Sequence, residues 1–372
     1  MDDRDALHMR RALQLAGEGW GLVAPNPLVG AVLVHDGRVV GEGHHARFGG
    51  PHAEVSALQE AGEAARGATL YVNLEPCHHV GKTGPCTRAI VEAGVARVVC
   101  AVADTNPAAA GGISWLRAQG VQVDVGLLER EARDLNAIHL STPARDRPFI
   151  ALKYALSLDA RLSEEPGRPT RVTVGEAMVA AHRLRAGHDA LMVGIGTVLA
   201  DDPELTVRDW RAPRVAPARV VLDSELRTPV DSKLVKGARG TPLRLFAKDD
   251  VPAERAERLR ALGARVVIVP ESEAGGGLDL EAVFAALRKA GFESVLCEGG
   301  GRLGSALLSR GLVDRLYAFI APRLFGEPGV PAFQGDLRRA AADWRLIERK
   351  ALGEVTLLSL SPSASGDPSE RG

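Results

Sequence analysis

Four residues near the start of the chain restrict what it can fold into: His52, Glu54, Cys77 and Cys86. One imidazole and two thiols supply three of the nitrogen and sulfur ligands that zinc prefers, and three protein ligands leave a fourth tetrahedral position open for water. The metal lowers the pKa of such a water towards about 7. The fold must therefore bring the segments that carry His52, Cys77 and Cys86 to one point. Glu54 would lie beside them as a carboxylate that need not be a ligand.

The same residues have more ordinary interpretations. Two cysteines at this spacing could form a disulfide, and a histidine near the start of a helix is often a plain surface residue. The N-terminal residues 1–5 are charged and lack the apolar segment of a signal peptide, so the sequence does not indicate an oxidising compartment. We therefore predict reduced thiols and a zinc site. Cys100 and Cys297 belong to apolar runs and are predicted to lie in the core.

Composition limits the class of protein. The 372 residues exceed what one hydrophobic core usually organises, so two domains are expected. A net charge of -1 and 4% aromatic residues offer neither attraction to a polyanion nor stacking surfaces, which disfavours a nucleic-acid partner. No apolar run approaches the roughly 20 residues that span a bilayer. We expect a cytoplasmic protein without a membrane partner.

The first half alternates strand and helix patterns, which predicts an α/β fold. An apolar run at 29–34 is followed by an Asp-Gly hairpin signal. A helix starting at Pro51 would place His52 in its first turn, and a strand over 69–74 precedes a helix over 87–93. Both thiols would then lie near a helix N-terminus, where the dipole favours the metal-binding thiolate.

The second half begins after a charged, proline-containing stretch at 145–148. The predicted strands are 149–156, a strand from 190 that ends in a Gly-x-Gly-Thr turn at 194–197, 218–222, 243–247, 265–269 and 294–297. Glycines 299–301 then open into a helix over 303–309 and suit a pyrophosphate. Such a cluster is also an ordinary tight turn, and its spacing is not that of a dinucleotide-binding Rossmann unit.

The motifs of the first half resemble the pyrimidine deaminase of riboflavin biosynthesis, whose full-length form is a bifunctional deaminase-reductase. They occupy residues 25–30, 43–45, 51–55, 73–79 and 81–87. The resemblance implies a cytidine-deaminase-like α/β/α domain over 1–145, with zinc ligands His52, Cys77 and Cys86 and with Glu54 as the catalytic proton shuttle. It further implies substrate contacts from Asn26, His45 and Lys82, although an asparagine between prolines is otherwise an ordinary turn residue.

The motifs of the second half resemble the reductase part of the same family, at residues 157–159, 185–186, 194–197, 199–208, 223–224 and 298–300. The resemblance implies a dihydrofolate-reductase-like α/β domain over 148–360 that uses NADPH, and residues 361–372 read as a disordered tail. The implied cofactor contacts are Ala155, Arg171, Thr197, Asp201, Leu205, Ser224, Gly300, Gly301, Arg302, Leu303, Gly304, Ser305 and Ala306. The implied substrate contacts are Arg185, Arg208 and Glu298.

Three positions depart from that family pattern. Ala160 stands where the family has glycine, Pro169 replaces a substrate-binding serine, and Arg171 replaces a tryptophan beside the cofactor. A proline lacks both the hydroxyl and the backbone donor, whereas an arginine could pair with the 2′-phosphate of the cofactor. An active deaminase joined to a degenerate reductase is therefore an alternative.

The resemblance implies zinc-dependent hydrolytic deamination of a diaminopyrimidinone phosphoribosyl substrate, then NADPH-dependent reduction of the ribosyl group to ribityl, in a homo-oligomer (dimer or tetramer). Two rivals remain. One is a nucleoside or tRNA deaminase fused to a nucleotide-binding domain, although the Cys-x8-Cys spacing here differs from the Cys-x-x-Cys of that signature. The other is a non-catalytic module whose structural zinc takes His78 or His79 as a fourth ligand.

Overall fold

A computed structural model describes residues 1–78, 84–107, 109–168, 170–272, 275, 277–335, 337 and 343–363. The predicted site residue Lys82 and the predicted departure at Pro169 lie outside these ranges. The chain divides into two compact units, Met1–Arg145 and Asp146–Gly372. Each unit has its own sheet, in keeping with a length that is too great for a single core.

The first unit is built on a five-stranded sheet of order β2-β1-β3-β4-β5. Strand β1 is antiparallel to both neighbours, and β3, β4 and β5 are parallel. The strands are β1 Gly30–His35, β2 Arg38–His44, β3 Thr69–Val72, β4 Arg97–Cys100 and β5 Gln122–Val125. The helices are α1 Asp3–Gly17, α2 Ala53–Ala61, α3 Cys86–Glu92, α4 Gly112–Ala118, α5 Glu129–Leu135 and α6 Ala137–Ser141, with 3-10 turns at Gly62–Ala65 and Thr142–Ala144.

The Asp-Gly hairpin between β1 and β2 is confirmed, with Asp36 and Gly37 both at positive φ. Helix α2 begins at Ala53, so the prediction that His52 lies in its first turn was wrong by one residue, and His52 is the N-cap. Helix α2 lies directly on β2 because Gly41 and Gly43 have no side chain: a Cβ at either glycine would collide with the backbone of the helix. This close contact fixes the start of α2 over the sheet.

The second unit contains a nine-stranded sheet of order β11-β10-β9-β8-β12-β6-β13-β16-β15 and a two-stranded ribbon of β14 and β7. Pairing is parallel from β11 through β13 and antiparallel from β13 through β15. The strands are β6 Phe149–Leu156, β7 Arg161–Ser163, β8 Ala190–Gly194, β9 Ala218–Leu222, β10 Leu243–Ala247, β11 Ala264–Ile268, β12 Ser294–Cys297, β13 Arg315–Ile320, β14 Val330–Pro331, β15 Trp344–Leu352 and β16 Val355–Pro362. The helices are α7 Glu176–Ala186, α8 Ile195–Asp201, α9 Lys233–Lys236, α10 Ala253–Ala261, α11 Leu280–Lys289 and α12 Gly301–Ser309.

Two predictions for local structure in this unit were wrong. The expected Gly-x-Gly-Thr turn after β8 is the first turn of helix α8, which starts at Ile195. Helix α12 starts at Gly301, two residues earlier than expected. Two of its glycines pack tightly, since a Cβ at Gly301 would collide with the Pro331 carbonyl and one at Gly304 with the Tyr154 hydroxyl.

Further predictions concern the core and the C-terminal residues. Cys100 and Cys297 are fully buried free thiols, as the sequence predicted. Strand β16 continues through Pro362, so Ser361 and Pro362 are strand residues and not part of a tail, and residues 364–372 lie outside the described ranges. Within the described ranges, no helix has the length and apolar character needed to cross a membrane.

A buried carboxylate fastens α1 to the sheet of the first unit. Asp5 accepts hydrogen bonds from Arg97 on β4 at 2.9 and 3.2 Å and from the Tyr71 hydroxyl on β3 at 2.6 Å. Arg97 also donates to Asp124 on β5 at 2.7 Å. The hydrogen bonds from the Arg97 guanidinium hold the pKa of Asp5 well below its usual range.

We expect Asp5→Asn to destabilise the first unit by about 1–3 kcal/mol at pH 7, because Arg97 loses one of its two charged partners while remaining largely buried. A carboxylate with a lowered folded pKa stabilises above its unfolded pKa of about 3.9, and this stability is lost as the pH falls further. Calorimetric unfolding of the full chain at pH 7 and at about pH 3 should show a difference that shrinks in acid. The exposed Asp3→Asn in the same helix turn is the matched control, and equal effects of the two variants would contradict the prediction.

Candidate functional site

Three side chains converge at one end of the first sheet. His52 precedes α2, Cys77 follows β3, and Cys86 is the first residue of α3. The His52 Nδ1 lies 3.1 Å from the Cys86 Sγ and 3.5 Å from the Cys77 Sγ. Bond lengths of about 2.0 Å to nitrogen and 2.3 Å to sulfur place tetrahedral zinc ligands roughly 3.5–4 Å apart. The donor set and its spacing therefore fit zinc.

Electrostatics prepare this cluster to bind a cation. The hydrogen bond from the Cys86 thiol, together with His52, lowers the pKa of Cys77 to about 4, so Cys77 is a thiolate at neutral pH. Hydrogen bonding to Cys77 and burial raise the pKa of Cys86. Glu54 is 3% exposed, and burial raises its pKa to about 7, with the Cys77 charge adding to the shift. A carboxyl group with such a pKa can both accept and donate a proton near neutral pH.

A fourth protein ligand is not found among the described residues. The group of metal-binding side chains there consists of His52, Cys77 and Cys86, whose ligand atoms lie within 4.8 Å of one another. The His78 Nδ1 instead lies 3.0 Å from the Thr87 hydroxyl, and its ring packs against Trp115 with centroids 4.9 Å apart. His79 lies outside the described ranges. Both cysteines are free thiols, so the disulfide interpretation was wrong.

The structure brings two predicted substrate residues to this cluster. The Asn26 side-chain nitrogen lies 3.1 Å from the His45 Nε2, and the His45 Nδ1 lies 3.0 Å from the Pro51 carbonyl oxygen. The His45 ring meets the His52 ring edge-on at 5.5 Å. Burial lowers the pKa of His45, so the ring is neutral, with Nδ1 donating to Pro51 and Nε2 accepting from Asn26.

The segment that carries Asn26 is held by two buried asparagines whose role the sequence interpretation missed. Asn136 accepts from the Leu28 N–H at 2.8 Å and donates to the Leu28 carbonyl at 2.9 Å. Asn73 donates to that carbonyl at 2.9 Å and accepts from the Gly30 N–H at 2.8 Å. Asn73 lies within the strand predicted over 69–74 and starts the motif at 73–79, which is a usable signal, whereas nothing in the sequence around Asn136 marks it.

Glu75 is a second buried carboxylate near the cluster, and it organises backbone. It accepts hydrogen bonds from the N–H groups of Asp104, Gly111 and Ile113 at 2.9–3.0 Å. The loop after β4 is thereby fastened to the segment that carries Cys77. Gly112 continues this contact, because a Cβ there would collide with the Pro76 carbonyl.

The second unit contains a cavity of about 770 Å³ at the C-terminal ends of β8, β9 and β12. Ligands of parallel α/β sheets bind at this edge. The predicted cofactor residues that line it are Thr197, Asp201, Ser224, Gly300, Gly301, Arg302, Leu303 and Ala306. Its described lining includes four arginines, at 168, 227, 302 and 310, against the single carboxylate of Asp201. The backbone of α12 and this excess of cations fit an elongated phosphorylated cofactor such as NADPH.

Five predicted cofactor residues do not line this cavity: Ala155, Arg171, Leu205, Gly304 and Ser305. Gly304 packs against Tyr154, and the Ser305 hydroxyl accepts from the Gln334 N–H at 2.7 Å. Leu205 is buried at a positive φ, and Ala155 is half-buried on β6. Arg171 is exposed, and its carbonyl faces Arg323 at 3.5 Å.

The departure at Ala160 has a backbone consequence. Its φ is +56°, in the left-handed region that favours the glycine of the resembled family. Alanine in that conformation costs roughly 1 kcal/mol. The Ala160 carbonyl nevertheless accepts from the Ala332 N–H at 3.0 Å, so the turn keeps a backbone contact between β6 and the segment after β14.

Two predicted substrate residues of the second unit form a buried ion pair. Arg185 on α7 donates to both oxygens of Glu298 at 2.6 and 2.9 Å and to the Thr206 carbonyl at 2.9 Å. The Lys153 Nζ lies 4.0 Å from Glu298. Burial opposes the charge on Glu298, but Arg185 and then Lys153 outweigh it and hold its pKa at about 2. Lys153 was missed because it lies within an apolar strand pattern.

Arg208, the third predicted substrate residue, is exposed and lies in a segment held by a buried histidine. The His182 Nδ1 accepts the Arg208 N–H at 2.9 Å and the Asp209 N–H at 3.4 Å. Its Nε2 lies 3.4 Å from the Asp209 carboxylate. Burial and the neighbouring arginines, Arg185 first, lower the pKa of His182 and keep Nδ1 available as an acceptor. No pattern in the residues around His182 indicates this role.

Comparison with known families matches both units. Residues 2–102 match the family described as the cytidine and deoxycytidylate deaminase zinc-binding region, and residues 148–358 match the RibD C-terminal domain. Among curated relatives, the riboflavin biosynthesis protein RibD of Aquifex aeolicus is 41% identical over 324 residues, with 87% of this chain and 88% of the relative covered. That of Escherichia coli is 41% identical over 336 residues, covering 87% and 89%.

Solved structures agree with these matches. Acinetobacter baumannii RibD is 34% identical and superimposes with a TM-score of 0.80 over 97% of this chain and 99% of that one. A diaminohydroxyphosphoribosylaminopyrimidine deaminase/5-amino-6-(5-phosphoribosylamino)uracil reductase from Thermotoga maritima is 32% identical, with a TM-score of 0.79 and the same coverage. The folds of both units are thus those of a deaminase domain and a RibD reductase domain.

We expect His182→Leu to release the segment around Arg208, because two backbone N–H groups lose their acceptor. The loss of about 1–2 kcal/mol of local stability corresponds to roughly tenfold faster amide exchange. Hydrogen-exchange mass spectrometry of peptides covering 204–210 measures this directly. His182→Asn is the matched variant, since its side-chain oxygen can occupy the place of Nδ1. Equal exchange in both variants and the parent would refute the role.

Proposed function

The chain belongs to the RibD family of riboflavin biosynthesis, and from this premise we propose how its residues divide two reactions between two sites. The protein is an enzyme with deaminase and reductase activities, and its cofactors are zinc and NADPH. We assign deamination to residues 1–145 and reduction to residues 148–360. The observation that carries the first assignment is the convergence of His52, Cys77 and Cys86 beside the buried Glu54.

In the deaminase site, His52, Cys77 and Cys86 hold zinc. When bound, the metal supplies the Lewis acidity that makes a water molecule nucleophilic near neutral pH. Glu54 would take a proton from the attacking water, deliver it to the ring nitrogen of the pyrimidine, and later move a proton to the departing ammonia. A carbon–oxygen bond forms and the carbon–nitrogen bond to the amine breaks, so an amino group is replaced by a carbonyl. Asn26 and His45 orient the ring.

In the reductase site, the cavity beside α12 binds NADPH, which supplies the hydride. The N–H groups at Gly300 and Gly301 would hold the pyrophosphate, and Thr197, Asp201 and Ser224, which line the cavity, would contact the rest of the cofactor. Arg185 fixes the Glu298 carboxylate, and Arg208 reaches the substrate phosphate from its exposed segment. A guanidinium suits that task because it can donate two parallel hydrogen bonds.

The substrate of the first reaction is a diaminopyrimidinone phosphoribosyl compound, and its deaminated product is the substrate of the second. We place the protein in the cytoplasm. We propose no nucleic-acid partner, because the net charge of -1 offers no attraction to a polyanion. We also propose a homo-oligomer, a dimer or a tetramer. The family resemblance of the sequence supports this proposal, since it implies a homo-oligomer.

We expect Glu54→Gln to retain zinc and to lower the deaminase kcat by about 100- to 10,000-fold, because the amide cannot carry the proton. Metal analysis and ammonia release measure the two effects, and reduction of the deaminated substrate should be unchanged. Glu60→Gln, an exposed position on the same helix, is the matched control. Loss of zinc would reassign Glu54 as a ligand, and unchanged ammonia release would exclude it as the proton shuttle.

We expect the two reactions to be separable by cofactor. Incubation with the diaminopyrimidinone phosphoribosyl substrate alone should yield ammonia and the product in which oxygen replaces an amino group. Addition of NADPH should then add two hydrogens to that product, and mass spectrometry resolves both steps. If NADPH is not consumed while ammonia is released, the second unit is degenerate, as Pro169 and Arg171 would allow.

A further inference from the structure

We propose that Arg227 selects NADPH over NADH by binding the 2′-phosphate of the cofactor's adenosine. This inference rests on the proposed binding of NADPH in the cavity beside α12. Arg227 and Ser224 both line that cavity from the turn that follows β9. The motifs through which the second half resembles the reductase family do not include Arg227.

The place of this turn in the sheet suits the adenosine ribose. In the order β9-β8-β12, the turn after β9 lies two strands from the glycines that open α12. Two strand spacings are about 10 Å, a distance comparable to one nucleoside. A dinucleotide whose pyrophosphate meets the start of α12 can therefore direct its adenosine ribose towards the turn at 223–228.

The carboxylate at the end of β9 cannot bind a ribose diol, because its hydrogen bonds are used within the turn. Asp223 is fully buried and accepts from the Arg227 N–H at 2.8 Å and from the Thr228 N–H and hydroxyl at 2.7 Å each. In dinucleotide-binding Rossmann folds, an acidic side chain binds the 2′-hydroxyl of NAD, and an arginine accommodates the 2′-phosphate of NADP instead. In this protein the buried Asp223 carboxylate instead stabilises the turn on which Arg227 lies.

The Arg227 guanidinium is available to a phosphate. Its side chain is exposed, and its ion pair with Glu225 is 3.5 Å long with both side chains more than half exposed. Such surface pairs contribute little, so a dianionic phosphate can replace Glu225 at small cost. Ser224, half-buried on the same turn, adds a hydroxyl beside it.

The other arginines fit this role less well. Arg171, which the sequence offered for the 2′-phosphate, does not line the cavity. Arg302 lies in the first turn of α12, beside the pyrophosphate position. Arg310 follows α12 and Arg168 lies between β7 and α7, so neither stands at the end of β9. Arg227 is thus the arginine that combines a cavity position with the end of β9.

Calorimetric titration of the zinc-loaded full chain with 2′,5′-ADP and with 5′-AMP tests the proposal. The parent protein should bind 2′,5′-ADP more tightly than 5′-AMP. Arg227→Gln should weaken 2′,5′-ADP roughly 10- to 100-fold, to the level of 5′-AMP, because a charge-assisted pair is lost. Binding of 5′-AMP should not change, which also shows that the variant is folded. Arg171→Gln is the matched control and should retain the preference for 2′,5′-ADP.

Steady-state kinetics give a second readout. Arg227→Gln should raise the KM for NADPH by a similar factor, with kcat and the KM for NADH unchanged. Loss of the phosphate preference in Arg171→Gln, and not in Arg227→Gln, would overturn the proposal and assign the phosphate to the loop before α7. A parent protein that binds neither probe and does not oxidise NADPH would overturn the proposed cofactor itself, which is a distinguishable result.

Discussion

The close approach of helix to strand, permitted by glycine, is the constraint on which both sites depend. Helix α2 reaches β2 because Gly41 and Gly43 leave room for its backbone, and this contact sets where His52 and Glu54 stand. In the second unit, Gly301 and Gly304 allow α12 to lie against Pro331 and Tyr154, which places its first N–H groups at the cavity edge. A methyl group at these glycines would move a helix start by more than a catalytic site tolerates.

Two glutamates, Glu54 in the first site and Glu298 in the second, acquire opposite properties from their surroundings. Among the described residues, no cationic side chain is hydrogen-bonded to Glu54, and burial raises its pKa to about 7. The Glu298 side chain is 9% exposed, and its two hydrogen bonds from Arg185, together with the nearby Lys153, hold its pKa at about 2. The first can therefore exchange protons near neutral pH, while the second is a fixed negative charge until a ligand alters its surroundings.

Features of the fold and of the sites could be predicted from the sequence where their chemistry restricts the residue type. A histidine, two cysteines and a glutamate at fixed spacing have few uses together, and the Asp36–Gly37 hairpin follows from the φ values that only a few residues tolerate. Local pattern failed at 194–197, where glycines suggested a turn but packing on the sheet continues the chain as helix α8. It also failed for Asn136, which contacts Leu28 across 108 positions of sequence.

The sequence by itself determined the class of both folds, the zinc ligand set and the glycine turn before α12, because these depend on residue chemistry and short spacings. Only the tertiary structure decided which polar groups meet. It paired Arg185 with Glu298, set His182 under the Arg208 segment, turned Asp223 inward and brought Arg227 to the cavity. Such pairings depend on strand order and helix position, which arise from contacts between residues far apart in the chain, and no local pattern records them.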